Sequence, residues 1–254
     1  MTTTSKIEWT EQTWNPAIGC TKVSPGCKHC YAETLAKRLQ RMGVDAYRQG
    51  FKLNLLPDRL DEPRRRKKPT IYFVNSMSDL FHERIPDAFI DQVMKTIRET
   101  PQHRYQILTK REARLGAYFA TRSVPDNVWL GVSVENRRHG VPRIDLLRTI
   151  PAQIRFLSCE PLLEDLGPLN LDGIHWVIVG GESGAEARPM HPDWARAIRR
   201  QCEAQGATFF FKQWGGWGAD GQRRSKKANG RELDGQQWNG MPVTVVDTTA
   251  GVSA

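Results

Sequence analysis

Long apolar runs are missing from this 254-residue chain. No stretch approaches the roughly eighteen apolar residues of a membrane-spanning helix, and the negative mean hydropathy is that of a chain expected to stay out of the membrane. Cysteine is scarce too. There are 5, an odd number, and the start from Met1 to Trp9 carries no apolar core of a secretory signal. Both features exclude a disulfide-stapled secreted scaffold and lead us to expect a reduced, cytoplasmic protein. Acidic residues are outnumbered by basic ones, 28 against 37, which leaves a formal charge of +9.

The few cysteines are concentrated. Cys20, Cys27 and Cys30 form a C-x6-C-x2-C cluster, and Pro16, Gly19, Pro25 and Gly26 keep that stretch out of regular helix or strand. Three thiolates on one such loop indicate a metal, and soft sulfur suits both zinc and iron-sulfur clusters. A closed structural zinc site takes four protein ligands, whereas a cubane held by three cysteines keeps one iron open for a small molecule. No fourth cysteine lies nearby. Cys159 and Cys202 are far along the chain, and Cys202 continues a helical stripe through Trp194 and Ile198, so it reads as core packing. The donor count favours a [4Fe-4S] cluster on Cys20, Cys27 and Cys30. Zinc stays open as the alternative, with His29 completing a Cys3His set.

Six apolar, β-branched or aromatic runs each stop at a polar cluster: Ile71 to Val74, Tyr105 to Leu108, Val128 to Val134, Ile154 to Leu157, His175 to Val179 and Thr208 to Phe211. Runs without strict alternation fit strands buried on both faces of a parallel sheet. The intervals are long enough for crossover helices, and helical stripes begin at Pro86-Asp87 and Pro192-Asp193. Strand and helix in alternation give an α/β chain, either a (β/α) barrel or an open doubly wound sheet. In both, ligands collect at the carboxyl ends of the strands. One mouth would then be lined by Asn75, Ser76, Asp79, Lys110, Ser133, Glu135, Asn136, Glu160, Glu182, Ser183, Lys212 and Gln213. Gly180-Gly181 would let a ligand approach the backbone closely.

The cysteine loop resembles the cluster loop of the radical S-adenosylmethionine superfamily. The wider chain resembles a phage- and prophage-associated, radical-SAM-like family of unassigned substrate. The likeness is carried by Trp14 to Cys20, Cys27 to Glu33, Phe73 to Asp79, Gln106 to Arg111, Trp129 to Glu135, Arg155 to Pro161, Trp176 to Ser183 and Phe210 to Gly215. The usual superfamily spacing is C-x3-C-x2-C with an aromatic residue before the last cysteine. Here three extra residues precede Cys27, and His29 takes the aromatic position.

The resemblance implies a partial (β/α) barrel of about six parallel strands, with the cysteine loop after a first strand near Ile7 to Thr10 or Trp14. It implies S-adenosylmethionine on the open iron, an electron donor as partner, and a radical S-adenosylmethionine enzyme that generates a 5'-deoxyadenosyl radical. Asn75, Ser76 and Asp79 would meet the cofactor's methionine part, and Ser133, Glu135 and Asn136 its ribose and amino acid groups. Glu160, Gly181 and Glu182 complete the candidate cofactor positions. A Gly-Gly-Glu run holds the cofactor's amino group in many members, but there it follows the second strand, and here it follows a late one.

The positive charge is concentrated in Arg64 to Lys68 and in Arg223 to Lys227, and a nucleic acid or nucleotide is the partner that would explain both. The division expected is a barrel over residues 1–215 and a Gly/Trp-rich C-terminal extension or flap over 216–254, loose beyond Asp247. Two rivals come from other classes. One is a non-catalytic, zinc-stabilised protein that binds nucleic acid or mediates phage-host interaction. The other is a metal-independent barrel enzyme using Glu135, Glu160 or Glu182 as acid and base, which leaves the cysteine loop unexplained.

Overall fold

The computed structural model describes residues 3–5 and 7–243. Seven strands run parallel in one sheet: β1 (Gln12–Trp14), β2 (Ile71–Val74), β3 (Arg104–Thr109), β4 (Val128–Ser133), β5 (Ile154–Cys159), β6 (Trp176–Gly180) and β7 (Thr208–Gln213). They lie side by side in chain order, and a short strand, Thr3–Thr4, pairs antiparallel outside β1. Because the order never reverses, the sheet is a curled half-barrel and not a doubly wound sheet. All six apolar runs become strands. The first strand falls at Gln12–Trp14, and Ile7 to Thr10 is a loop.

Helices α1 (Tyr31–Arg41), α2 (Asp87–Arg98), α3 (Glu112–Phe119), α4 (Val141–Thr149) and α5 (Pro192–Gln205) follow β1, β2, β3, β4 and β6. The α2 stripe of Phe89, Ile90, Val93, Met94 and Ile97 is buried, as are Ile198 and Cys202 of α5. The interval between β5 and β6 holds no helix, because Pro161, Gly167, Pro168 and Gly173 interrupt it. Its leucines, Leu162, Leu166, Leu169 and Leu171, still join the main core. Among the described residues no helix is long and apolar enough to cross a membrane.

The pleat sorts side chains between the two faces. Tyr72, Val74, Tyr105, Ile107, Leu130, Val132, Val177, Val179, Phe209 and Phe211 pack in the main core with the buried faces of α2 to α5. Phe73, Trp129, Phe156, Trp176, Ile178 and Phe210 belong to a separate cluster with Trp9, on the concave side. The Trp9 ring lies 4.7 Å from Phe73 and 6.0 Å from Trp176. Aromatic packing thus fills the lower interior, and ligand space is confined to the upper rim.

The last part of the C-terminal extension is anchored along β7. Phe211 N donates to Trp238 O at 2.9 Å and Phe210 bridges Asn239, so an antiparallel segment covers the edge of β7. Trp176 Nε1 donates to Gly240 O at 2.8 Å, and Leu233 is fully buried. The stretch beyond Asp247 lies outside the described residues.

Candidate functional site

The cysteine loop leaves β1 at the carboxyl end of the sheet and returns into α1, with Cys30 as the residue before the helix. Its start is fixed by backbone contacts: Gly19 N donates to Met77 O at 2.9 Å and Cys20 N to Phe51 O at 3.3 Å. Tyr31, at the first turn of α1, donates its hydroxyl to Ser76 O. Gly26 lies against Glu135, where an added Cβ would come within 3.0 Å of the carboxylate's Cγ. The loop therefore sits directly above the ends of β2 and β4.

All three cysteines of the loop are free and partly exposed. The Cys20 thiol donates to Thr21 O at 3.4 Å. Burial pushes it up to about 12, with Asp79 and Cys27 adding to the effect and Arg111 opposing it. Cys27 Sγ lies 3.9 Å from Ser24 Oγ. Among the described residues no three His, Cys, Asp or Glu side chains meet closely enough to hold a single metal ion, and this includes Cys20, Cys27 and Cys30 themselves.

Asn75 ends β2 in the left-handed region at φ 58, a strained choice for a residue other than glycine. It is 2% exposed, and neither its side-chain oxygen nor its nitrogen has a partner. Ser76 Oγ lies 3.1 Å from Asn15 Oδ1. Asp79 has an architectural position: its oxygens accept from Phe81 N, Thr109 Oγ1 and Lys110 N at 3.0, 2.7 and 3.0 Å. At the end of β4, Ser133 Oγ accepts from Lys110 Nζ at 3.0 Å. Glu135 is fully buried. One oxygen accepts from Arg143 Nη1 at 2.6 Å, and the Ser24 hydroxyl of the cysteine loop also lies against the carboxylate. Burial alone would raise its pKa, but Lys110 and Arg143 outweigh that and hold the carboxyl below the ordinary range. Asn136 caps its own turn, with Oδ1 accepting from His139 N at 2.9 Å.

The opposite wall is built from β5 to β7. Glu160 Oε2 pairs with Lys212 Nζ at 2.8 Å, and Oε1 accepts from Gln213 Nε2 at 2.9 Å. The same Gln213 nitrogen lies 2.9 Å from Ser183 Oγ. Gly181 meets protein backbone: an added Cβ would be 2.0 Å from Trp214 O. Glu182 is 5% exposed and its two oxygens are taken up by Arg188. Asn75, Ser133, Glu135 and Glu160 thus gather at the carboxyl ends of β2, β4 and β5 with Lys110 and Lys212, but all of them except Asn75 are, like Asp79, Asn136 and Glu182, engaged by protein partners.

Sequence reasoning missed Tyr31, Arg111, Arg143, Arg188 and Glu8. Arg111 adjoins the polar cluster after β3, which offered a signal. The other four lie in no such cluster. Glu8 reaches the same wall by pairing with Lys226 at 2.8 Å, with its other oxygen unpartnered. The two charged segments sit at opposite ends of the molecule. Arg64 to Lys68 precede β2 at the amino end, where a cavity of about 530 Å³ opens beside Arg98, Arg104, Asn127 and Gln153. Arg223 to Lys227 follow β7 on the mouth side.

A parallel half-barrel with three free thiols on a loop over its carboxyl rim defines the class of the molecule. Within that class, the chain belongs to the family described as Protein of unknown function (DUF5131), whose model matches residues 4–242. No curated protein matches the sequence. Among solved structures it is similar to spore photoproduct lyase complexed with dinucleoside spore photoproduct, at 14% identity and a TM-score of 0.45 over 81% of this chain and 64% of that one. It is also similar to a mutant of that lyase with bound AdoMet and dinucleoside spore photoproduct, at 15% identity, a TM-score of 0.44 and the same coverage. The chain spans about 64% of the length of these structures.

Proposed function

We propose that this protein is a radical S-adenosylmethionine enzyme acting on a nucleotide or nucleic-acid substrate, with Cys20, Cys27 and Cys30 holding a [4Fe-4S] cluster. The observation that carries the reading is the placement of three thiols over a rim where the buried Asn75 amide has no protein partner. A buried polar atom without a partner is costly, and at a strand end under the cysteine loop a ligand can supply the missing bond. A cubane takes each cysteine on a separate iron, so the donor set does not need to meet at one point as a zinc site does. Cys30 stands at the amino end of α1, as the residue before the helix.

When bound, the cluster supplies one-electron chemistry that opens a carbon-sulfur bond of S-adenosylmethionine and leaves a radical to abstract hydrogen. The protein's own residues orient and enclose that chemistry. Asn75 offers both a donor and an acceptor to the methionine part of the cofactor. Lys110, Ser133 and Glu135 form a hydrogen-bonding wall beside it, and the aromatic floor under Trp9 keeps water from below. Glu160 and Lys212 face the substrate side.

S-adenosylmethionine is expected to bind the iron-loaded protein and not the metal-free protein. Asn75→Ala should weaken binding by about 1–3 kcal/mol, the cost of leaving a buried polar group unpaired. Calorimetry on both forms tests this, and equal affinity with and without iron overturns the reading. The partner assignment has its own test. If the mouth-side segment meets phosphates, neutralising Arg223, Lys226 and Lys227 should lower the salt slope of oligonucleotide binding by about one for each phosphate no longer held. The same change at Arg65, Lys67 and Lys68 should leave the slope unaltered. Anisotropy titrations at several salt concentrations separate the two, and no binding at low salt removes nucleic acid from the partners.

A further inference from the structure

The Gly180-Gly181-Glu182-Ser183 turn does not open its backbone to the mouth. Gly181 N donates to Gln213 O at 3.0 Å, and Gly216 N donates to Glu182 O at 2.8 Å. An added Cβ on Gly215 would lie 2.2 Å from Glu182 O, and Gly181 makes the matching contact with Trp214 O. The turn after β6 and the turn after β7 are therefore interlocked, carbonyl against glycine. Both glycines are explained by a meeting of two protein backbones.

On that base Glu182 faces Arg188. Its Oε2 accepts from Arg188 N at 2.9 Å and from Arg188 Nε at 2.8 Å, and its Oε1 accepts from Arg188 Nη2 at 2.5 Å. A guanidinium held by a carboxylate through both Nε and Nη2 is oriented far better than a free side chain. The same Nη2 then donates at 3.0 Å to Pro25 O, 163 residues away in sequence. Pro25 opens the turn Pro25–Cys27. At the other end of the loop, Arg111 Nη2 donates to Thr21 O at 3.2 Å, beside Cys20, while its Nε pairs with Glu83 at 2.8 Å.

We infer that Glu182 and Arg188 are positioning residues, a clasp that holds the Cys27–Cys30 part of the loop from across the mouth, with Arg111 its counterpart at Cys20. The inference deepens the cluster reading, and it gives the Gly-Gly-Glu turn a role other than holding the cofactor. The clasp also joins the two walls. Through Gly181 and Gln213 it is continuous with Ser183, Glu160 and Lys212, so what binds on the substrate side is mechanically tied to the thiols.

The test uses the metal-free and the iron-loaded full chain with Arg188→Ala, Arg188→Lys and Glu182→Gln. In metal-free protein, trypsin cleavage after the exposed Lys28, followed by mass spectrometry, reports how firmly the loop is held. Arg188→Ala should raise that rate about tenfold, the equivalent of removing one charge-assisted hydrogen bond. Arg188→Lys should fall between, because an ammonium cannot make the bidentate pair with Glu182 and still reach Pro25. Lys67→Ala, far from the mouth, should change nothing. In iron-loaded protein reduced with dithionite, the same variants should broaden the electron paramagnetic resonance spectrum of the reduced cluster without lowering iron content. An unchanged cleavage rate in folded Arg188→Ala overturns the clasp. If Arg188→Ala does not fold, an unchanged rate in both conservative variants does so. Failure of the wild type to take up iron would overturn the cluster reading and leave the cleavage result standing.

Discussion

Replacing any one of Cys20, Cys27 and Cys30 by alanine is expected to abolish the visible absorbance of anaerobically reconstituted protein, in the region around 400 nm typical of thiolate-to-iron charge transfer. A cubane already held by three protein ligands does not survive the removal of one. Cys202→Ala should keep the spectrum. Cys202 is fully buried on α5 against the main core, and the same burial pushes its thiol up to about 12, which marks it as an inert packing residue. Its replacement should cost stability alone. Iron and sulfide analysis beside the spectra gives the stoichiometry. An intact spectrum in the Cys27 variant would refute the ligand assignment, and one zinc per chain in place of iron would turn the reading toward a structural role.

The second large effect concerns the buried pair under the loop. Glu135→Gln should destabilise the fold by about 3 kcal/mol, the lower end for breaking a buried ion pair, because Arg143 keeps Ser133 O at 2.7 Å and Glu112 at 3.3 Å. In a chain of this size that is a fall of about 6 to 12 °C in Tm. Scanning calorimetry measures it, and Glu135→Gln combined with Arg143→Met should recover part of the stability. The pH dependence has a fixed sign. The Glu135 carboxyl is held below its ordinary value, so its contribution is complete above the unfolded carboxylate pKa of roughly 4.3 and drains away as the pH falls through the lower folded value. Wild type should thus lose more stability on acidification than Glu135→Gln. Parallel pH profiles for the two would show that the pair contributes nothing.

The sequence displayed the sheet because parallel strands buried on both faces announce themselves as apolar runs with abrupt polar ends, and β2 to β7 all did so. The polar ends of those runs fall at the carboxyl ends of the strands, which is where the sequence put the candidate rim. Whatever depends on side chains meeting across the mouth was hidden. Asp79 and Asn75 stand four residues apart in one polar cluster, yet Asp79 is saturated by Thr109 and backbone amides while Asn75 has no partner. Nothing local distinguishes them. Arg188 was illegible for the same reason, because its acceptor Pro25 belongs to the first strand's loop. The Gly-Gly-Glu run misled by its composition: glycine serves a close backbone approach, but the string does not say whose backbone approaches.

The sheet remains open between β1 and β7, and the chain seals that gap with pieces that precede and follow the parallel strands. Trp9 enters from one side. Gly240 and Met241 come from the other, and Lys226 reaches across to Glu8. The interior is therefore a keystone arrangement whose last stones are placed late in synthesis. A nascent chain that has emerged only as far as β7 exposes the Trp176 indole N–H and the bare edge of Phe210 and Phe211. Such an intermediate offers chaperones and neighbouring chains a sticky strand edge until about thirty more residues have left the ribosome. Closure of the half-barrel's open edge is consequently decided by residues made after the sheet and not by sheet formation itself.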